Sequence, residues 1–178
     1  KSFHIRSAVH KLTRKNTWKA FITRCHAPSE ILIKKTWTKY VTELHEEHLR
    51  LIDNALGDKA TKTGRIFKEI SIDAIMLNVE QIEKLLREKI RPVYTAVLDF
   101  TLEYTVEEIG GIAVFDVTSP EIVSYFDKVQ STFVGTAPHT IQKSVRNSLL
   151  VGISNGETVS ELRDRVSQVY KIASSHWK

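Results

Sequence analysis

Helix breakers are scarce in this chain, and that scarcity limits what it can fold into more than any other feature. Seven Gly and four Pro are spread over 178 residues. Both residue types interrupt helices, so long stretches are free to run unbroken. From Glu30 to Leu56, the positions Ile33, Trp37, Tyr40, Val41, Leu44, His48, Leu51, Ile52 and Leu56 recur at helical spacing. Gly57 ends that run, and Asp58-Lys59-Ala60-Thr61-Lys62-Thr63-Gly64 reads as a polar linker. The boundary predicted there separates a basic helical arm over 1–57 from a helical domain over 65–178.

Upstream, Trp18, Phe21 and Ile22 make one apolar helical face, and Pro28-Ser29-Glu30 reads as a break and restart with Ser29 as N-cap. Downstream, helical spacing runs from Ile66 to about Tyr104. Ile72, Ile75, Val79, Ile82 and Leu86 step by three, four, three and four, continued by Val93 after a mismatch at Lys89. So short a repeat fits an internal bundle better than a coiled coil. Pro92 predicts a kink or break near Arg91. Thr105-Val106-Glu107-Glu108 permits a short capped helix that Gly110-Gly111 would end. Residues 112–117 are the only strand-like run, and without an obvious pairing partner they read as an extended connector or a short edge segment.

The last third is the most patterned. Ser119-Pro120 offers an N-cap and an N1 proline, with Ile122, Tyr125, Phe126 and Val129 as the expected buried stripe. A second helical run is read from Pro138 to Ile153, with Ile141, Val145, Leu149 and Ile153 inward. Asn155-Gly156 suits a left-handed helix end. Thr158, with Glu161 three residues on, suits a capping box. Leu162, Val166, Val169 and Tyr170 give the last helix its apolar stripe. The expected fold class is therefore all-α, an elongated bundle of long amphipathic helices and helical hairpins.

Chemistry-bearing patterns are weak. His45-Glu46-Glu47-His48 lacks the H-E-x-x-H order and a third ligand, and His48 falls on the apolar stripe. No P-loop, G-x-G-x-x-G or G-x-S-x-G occurs. His139 has no evident acid or nucleophile beside it. Glu157 reads as a first-turn carboxylate favoured by the helix dipole, not a base. The expectation is no catalytic, metal or cofactor residue. A single cysteine, Cys25, excludes an internal disulfide framework. No run approaches the ~18 apolar residues of a membrane span, and no signal peptide is visible. The chain opens on Lys1 and stops at Lys178 inside an apparent helix, which reads as a fragment, a processed product or the ordered part of something longer.

Charge is uneven. Lys1–Tyr40 carries ten Lys/Arg against Glu30 alone, a charge of +9, so the remainder is −4 in a chain of +5. Lys11, Arg14, Lys15, Lys19, Lys34, Lys35 and Lys39 are the candidate contacts to nucleic acid or an acidic partner. Lacking a base-reading motif, the arm favours the protein partner. Trp18, Trp37 and Tyr40 among these cations resemble a single-strand-binding surface, but Trp37 and Tyr40 lie on an apolar face where aromatics pack.

The order of the F-D-x-x-x-P opening at Phe115-Asp116…Pro120, a helix through Tyr125, the G-x-x-x-G-E-[ST] turn at Gly152…Gly156-Glu157-Thr158, and Leu162 resembles the phage head morphogenesis family of Mu F-like minor capsid proteins. The match covers roughly the last third of the chain. It implies structural roles for those nine residues and no catalytic ones. It also implies a part in procapsid assembly, association with portal and other head proteins in a multi-subunit particle, and contact with packaged DNA. The place implied is the phage head interior or portal vertex, with assembly in the host cytoplasm. The basic segment carries no family motif and fits a portal-fused protein as well. Two other readings stay open: a non-viral DNA-binding helical protein, and the non-catalytic part of a larger enzyme or toxin.

Overall fold

The computed structural model describes residues 16–60, 71–109 and 119–175. Among them the fold is all-α, with four long helices and no strand. They are α1 (Ala27–Ala60), α2 (Val79–Ile109), α3 (Pro120–Ser154) and α4 (Val159–Ser175). Segment 112–117, with Phe115 and Asp116, lies outside the described residues.

Cross-helix pairs fix the topology. Cys25 donates to Phe100 O and Tyr40 to Ile82 O, so α1 and α2 are antiparallel. Gln130 reaches Arg87 O while Arg146 reaches Asp73, so α3 runs against α2. Trp37 Nε1 donates to Ala173 O at 3.0 Å and Arg163 pairs with Asp53, so α4 runs against α1. The result is an up-down-up-down four-helix bundle. Trp37, Tyr40 and Ile52 of α1, Ile82 and Leu86 of α2, Val134 and Leu149 of α3, and Leu162 and Tyr170 of α4 share one core. The described part of the basic segment is therefore one wall of the bundle.

Three prolines sit inside helices where breaks were expected. A π-helical turn, Ile22–His26, joins the helical residues 16–21 to α1, with the Ala27 N–H donating to Ile22 O. The wider turn relieves the clash a proline ring makes with the carbonyl four residues back, here Arg24. Ser29 therefore caps nothing; it is buried and its hydroxyl donates to Cys25 O at 2.6 Å. Pro92 is exposed, so the carbonyl it leaves unpaired meets water and α2 continues to Ile109. Pro138 is buried mid-helix, so the two runs expected around it form the single 35-residue α3.

Other boundaries move as well. α1 passes through Gly57 to Ala60. α2 begins at Val79 rather than Ile66, with Asn78 as its N-cap accepting from the Gln81 N–H at 3.0 Å. Ile72 lies in a 3₁₀ turn, yet Ile75 beyond it is fully buried and plugs the core from a loop. A continuous α3 also has a single phase. Val134, Ile141, Val145 and Leu149 face inward. At about 100° per residue, Tyr125 then points about half a turn away from Val134. It is 64% exposed and Val129 is 39% exposed, which corrects the stripe read for that segment.

α4 has 17 residues against 34 in α1, about 25 Å against about 50 Å. Its described residues reach Trp37, whose ring also meets Phe133. Trp18, Ile31, Val123 and Tyr125, all strongly exposed, lie beyond that point.

Leu149 is fully buried and its neighbour Leu150 is 47% exposed. Leu149→Ala should cost about 2–5 kcal/mol and Leu150→Ala less than about 0.5 kcal/mol in urea unfolding. Equal losses would contradict this phase for α3.

Candidate functional site

Five of the nine residues singled out by motif converge at the corner between α3 and α4. Gly156 has φ 70°, in the left-handed region that favours glycine. The Glu157 N–H donates to Gly152 O and the Gly156 N–H to Ile153 O, both at 3.0 Å, which is a Schellman motif closing α3. The next helix starts at once. The Thr158 N–H donates to Glu161 Oε2 at 2.7 Å and the Glu161 N–H to Thr158 Oγ1 at 3.3 Å, so the expected capping box forms.

Gly152 has a different task. A Cβ there would lie 2.3 Å from Leu162 Cδ2 and 2.8 Å from Glu157 Oε2. Its missing side chain lets α4 lie against α3 and seals Leu162 completely. Over this contact Arg165 grips the Glu157 carboxylate through Nε and Nη2. That pairing, with a lesser bond from Asn155, holds the Glu157 carboxyl below the usual range. Its lone pairs are occupied, so it is an anchor for the hairpin. Arg165 is a partner the sequence did not announce. Pro120 and Tyr125 sit at the far end of α3, about 48 Å and about 40 Å from Gly152 along the axis. Pro120 is the first residue of α3; Ser119 precedes it, but its hydroxyl caps nothing.

The His45–His48 segment faces α4. His45 Nε2 lies 2.9 Å from Ser167 Oγ, and His48 Nδ1 is hydrogen-bonded to the Tyr170 hydroxyl. Glu47 is taken by Arg50. The histidines thus bind one helix to another, and among the described residues no three His, Cys, Asp or Glu come together as a metal requires. Burial pushes His48 down to about 4 from 6.5, while His48 Nε2 is buried without a hydrogen-bond partner in the described residues. His139, expected in a first helical turn, is mid-helix with Nε2 3.0 Å from Glu83 Oε1.

Trp37 and Tyr40 are buried, whereas Trp18 is 63% exposed and stacks on Phe21. Lys19, Lys34, Lys35 and Lys39 are all exposed; Lys11, Arg14 and Lys15 fall outside the described residues. A groove of about 270 Å³ lies between α3 and α4, with Trp37, Thr140, Ser144 and Ile172 among its lining. The Thr140 and Ser144 hydroxyls donate to carbonyls of their own helix, to Thr136 O and Thr140 O. No titratable group lines it.

Comparison with protein-family models, with curated proteins and with solved structures returned no match.

Two outcomes follow from this geometry. Gly152→Ala should cost about 1–3 kcal/mol by overpacking against Leu162, and Gly156→Ala about 1 kcal/mol through its positive φ, both read by thermal or urea unfolding. A neutral Gly152→Ala would refute the close approach. The unfolded chain protonates His48 near 6.5, but the folded chain keeps it neutral down to about 4. Its contribution is therefore complete above pH 6.5 and lost as the pH falls. Stability should drop by about 2 kcal/mol between pH 7 and pH 5, and His48→Phe should flatten most of that slope.

Proposed function

We propose that this chain is a structural, non-catalytic minor head protein of a phage, or that part of a longer head protein, acting in procapsid assembly beside the portal. One observation carries the reading. The motif residues Gly152, Gly156, Glu157, Thr158 and Leu162 each have a mechanical task at one corner. The spacing G-x-x-x-G-E-[ST] is what such a corner needs: a glycine where two helices touch, a glycine at positive φ, a carboxylate to tie the hairpin and a hydroxyl to start the next helix.

Two further features support an assembly role over a reactive one. The acids and bases near the core are engaged with each other, as in Glu157–Arg165, Glu43–Lys89 and Arg163–Asp53. Trp18, Val123 and Tyr125 are also large apolar side chains held at the surface rather than in the core, as a chain that packs against neighbours would hold them. Association with a ring-shaped portal and with shell proteins, and residence in the virion, belong to this proposal.

The test is gradient sedimentation of lysate from cells making the full-length protein with its native neighbours, followed by electron microscopy. The expected result is the protein in fractions that hold portal rings or procapsids. Recovery only as free monomer, or turnover of a substrate by the purified protein, would refute the proposal.

A further inference from the structure

The outer face of α1 carries a second, separate message. Ile31 is 68% exposed, and Lys34, Lys35, Thr38, Lys39 and Thr42 continue the exposed face from it over the next three turns. No carboxylate occurs between Glu30 and Glu43. Both flanking acids have partners of their own: His26 Nδ1 lies 3.9 Å from Glu30, and Lys89 Nζ lies 2.7 Å from Glu43. Elsewhere Arg24, Arg50, Arg146, Arg163 and Arg165 each meet a carboxylate within the chain. Lys34, Lys35 and Lys39 meet none among the described residues. The Thr42 hydroxyl donates to Thr38 O at 2.9 Å, so its polar group is spent on its own helix.

We infer that this stripe, Ile31 flanked by Lys34, Lys35 and Lys39, is a docking site for an acidic amphipathic helix of a partner protein. From Ile31 to Thr42 it spans about 17 Å, the length over which two helices packed at a shallow angle stay in contact. One exposed isoleucine with three lysines along the same face is complementary to a helix that sets a leucine-type residue among Glu or Asp. Charge alone would serve a phosphate backbone equally well. The exposed Ile31 decides between them, because a row of charged phosphates gives it nothing apolar to pack on, whereas an amphipathic helix face removes it from water. The inference is independent of the virion reading: it concerns what the surface binds, not where the protein works.

The test titrates the full chain with a dye-labelled peptide of three heptads, leucine at the seam and glutamate on its flanks. A scrambled peptide and a roughly 20-base-pair duplex serve as controls at low and moderate salt. The expected result is salt-sensitive binding of the patterned peptide only. Ile31→Ser should weaken it about tenfold, and Lys34→Gln with Lys35→Gln and Lys39→Gln about tenfold or more, with helical content and unfolding temperature unchanged. Tighter binding of the duplex, insensitive to Ile31→Ser, would assign the surface to nucleic acid and overturn the inference. Salt-dependent self-association abolished by the lysine variants would assign it to a second copy and also overturn it. So would the absence of binding to the patterned peptide.

Discussion

The bundle depends on one steric allowance: α3 and α4 touch at Gly152. Because no Cβ intervenes, Leu162 is sealed against α3 and the rest of α4 is brought over α1. Every α1–α4 bond follows from that placement, including Trp37 to Ala173 O, His45 to Ser167 and His48 to Tyr170. These are mixed aromatic and polar contacts in a buried seam, where a lost partner costs more than the bond itself contributes. The corner that sets the angle of α4 therefore governs whether the whole seam can be satisfied.

The same corner was the most legible part of the sequence, for a physical reason. Helix ends are decided by residues within one turn of each other, so Asn155-Gly156 and the Thr158–Glu161 pair announce themselves locally. Arg165 does not, since its pairing with Glu157 spans eight residues and exists only once the hairpin has closed. The prolines misled for the complementary reason. Pro28, Pro92 and Pro138 carry a local signal to break, but a π turn, an exposed position and a buried packing position respectively absorb it. Tertiary packing outweighed propensity at Pro138, while a local backbone adjustment and exposure to water did so at the other two. Reading α3 as two runs then allowed each its own apolar phase, which is why Tyr125 was placed inside when it is out.

The candidate surfaces were legible in composition and not in geometry. Ten cations precede residue 41, but composition alone did not show that Lys34, Lys35 and Lys39 stay exposed beside Ile31 with no carboxylate paired to them among the described residues. Nor could it show that Trp18, Val123 and Tyr125 are exposed. Both features point outward. The interior is occupied by side-chain packing and helix-to-helix bonds, with His48 Nε2 an exception among the described residues.

The most direct measurement of the central claim is a double-mutant cycle between Gly152 and Leu162. If contact between these two positions places α4, the methyl added by Gly152→Ala collides with Leu162, and Leu162→Ala makes room for it. The double variant should then be more stable than the sum of the single losses by at least about 1 kcal/mol. Strict additivity would show that the helices do not meet there, and the account of how α4 is held would be wrong.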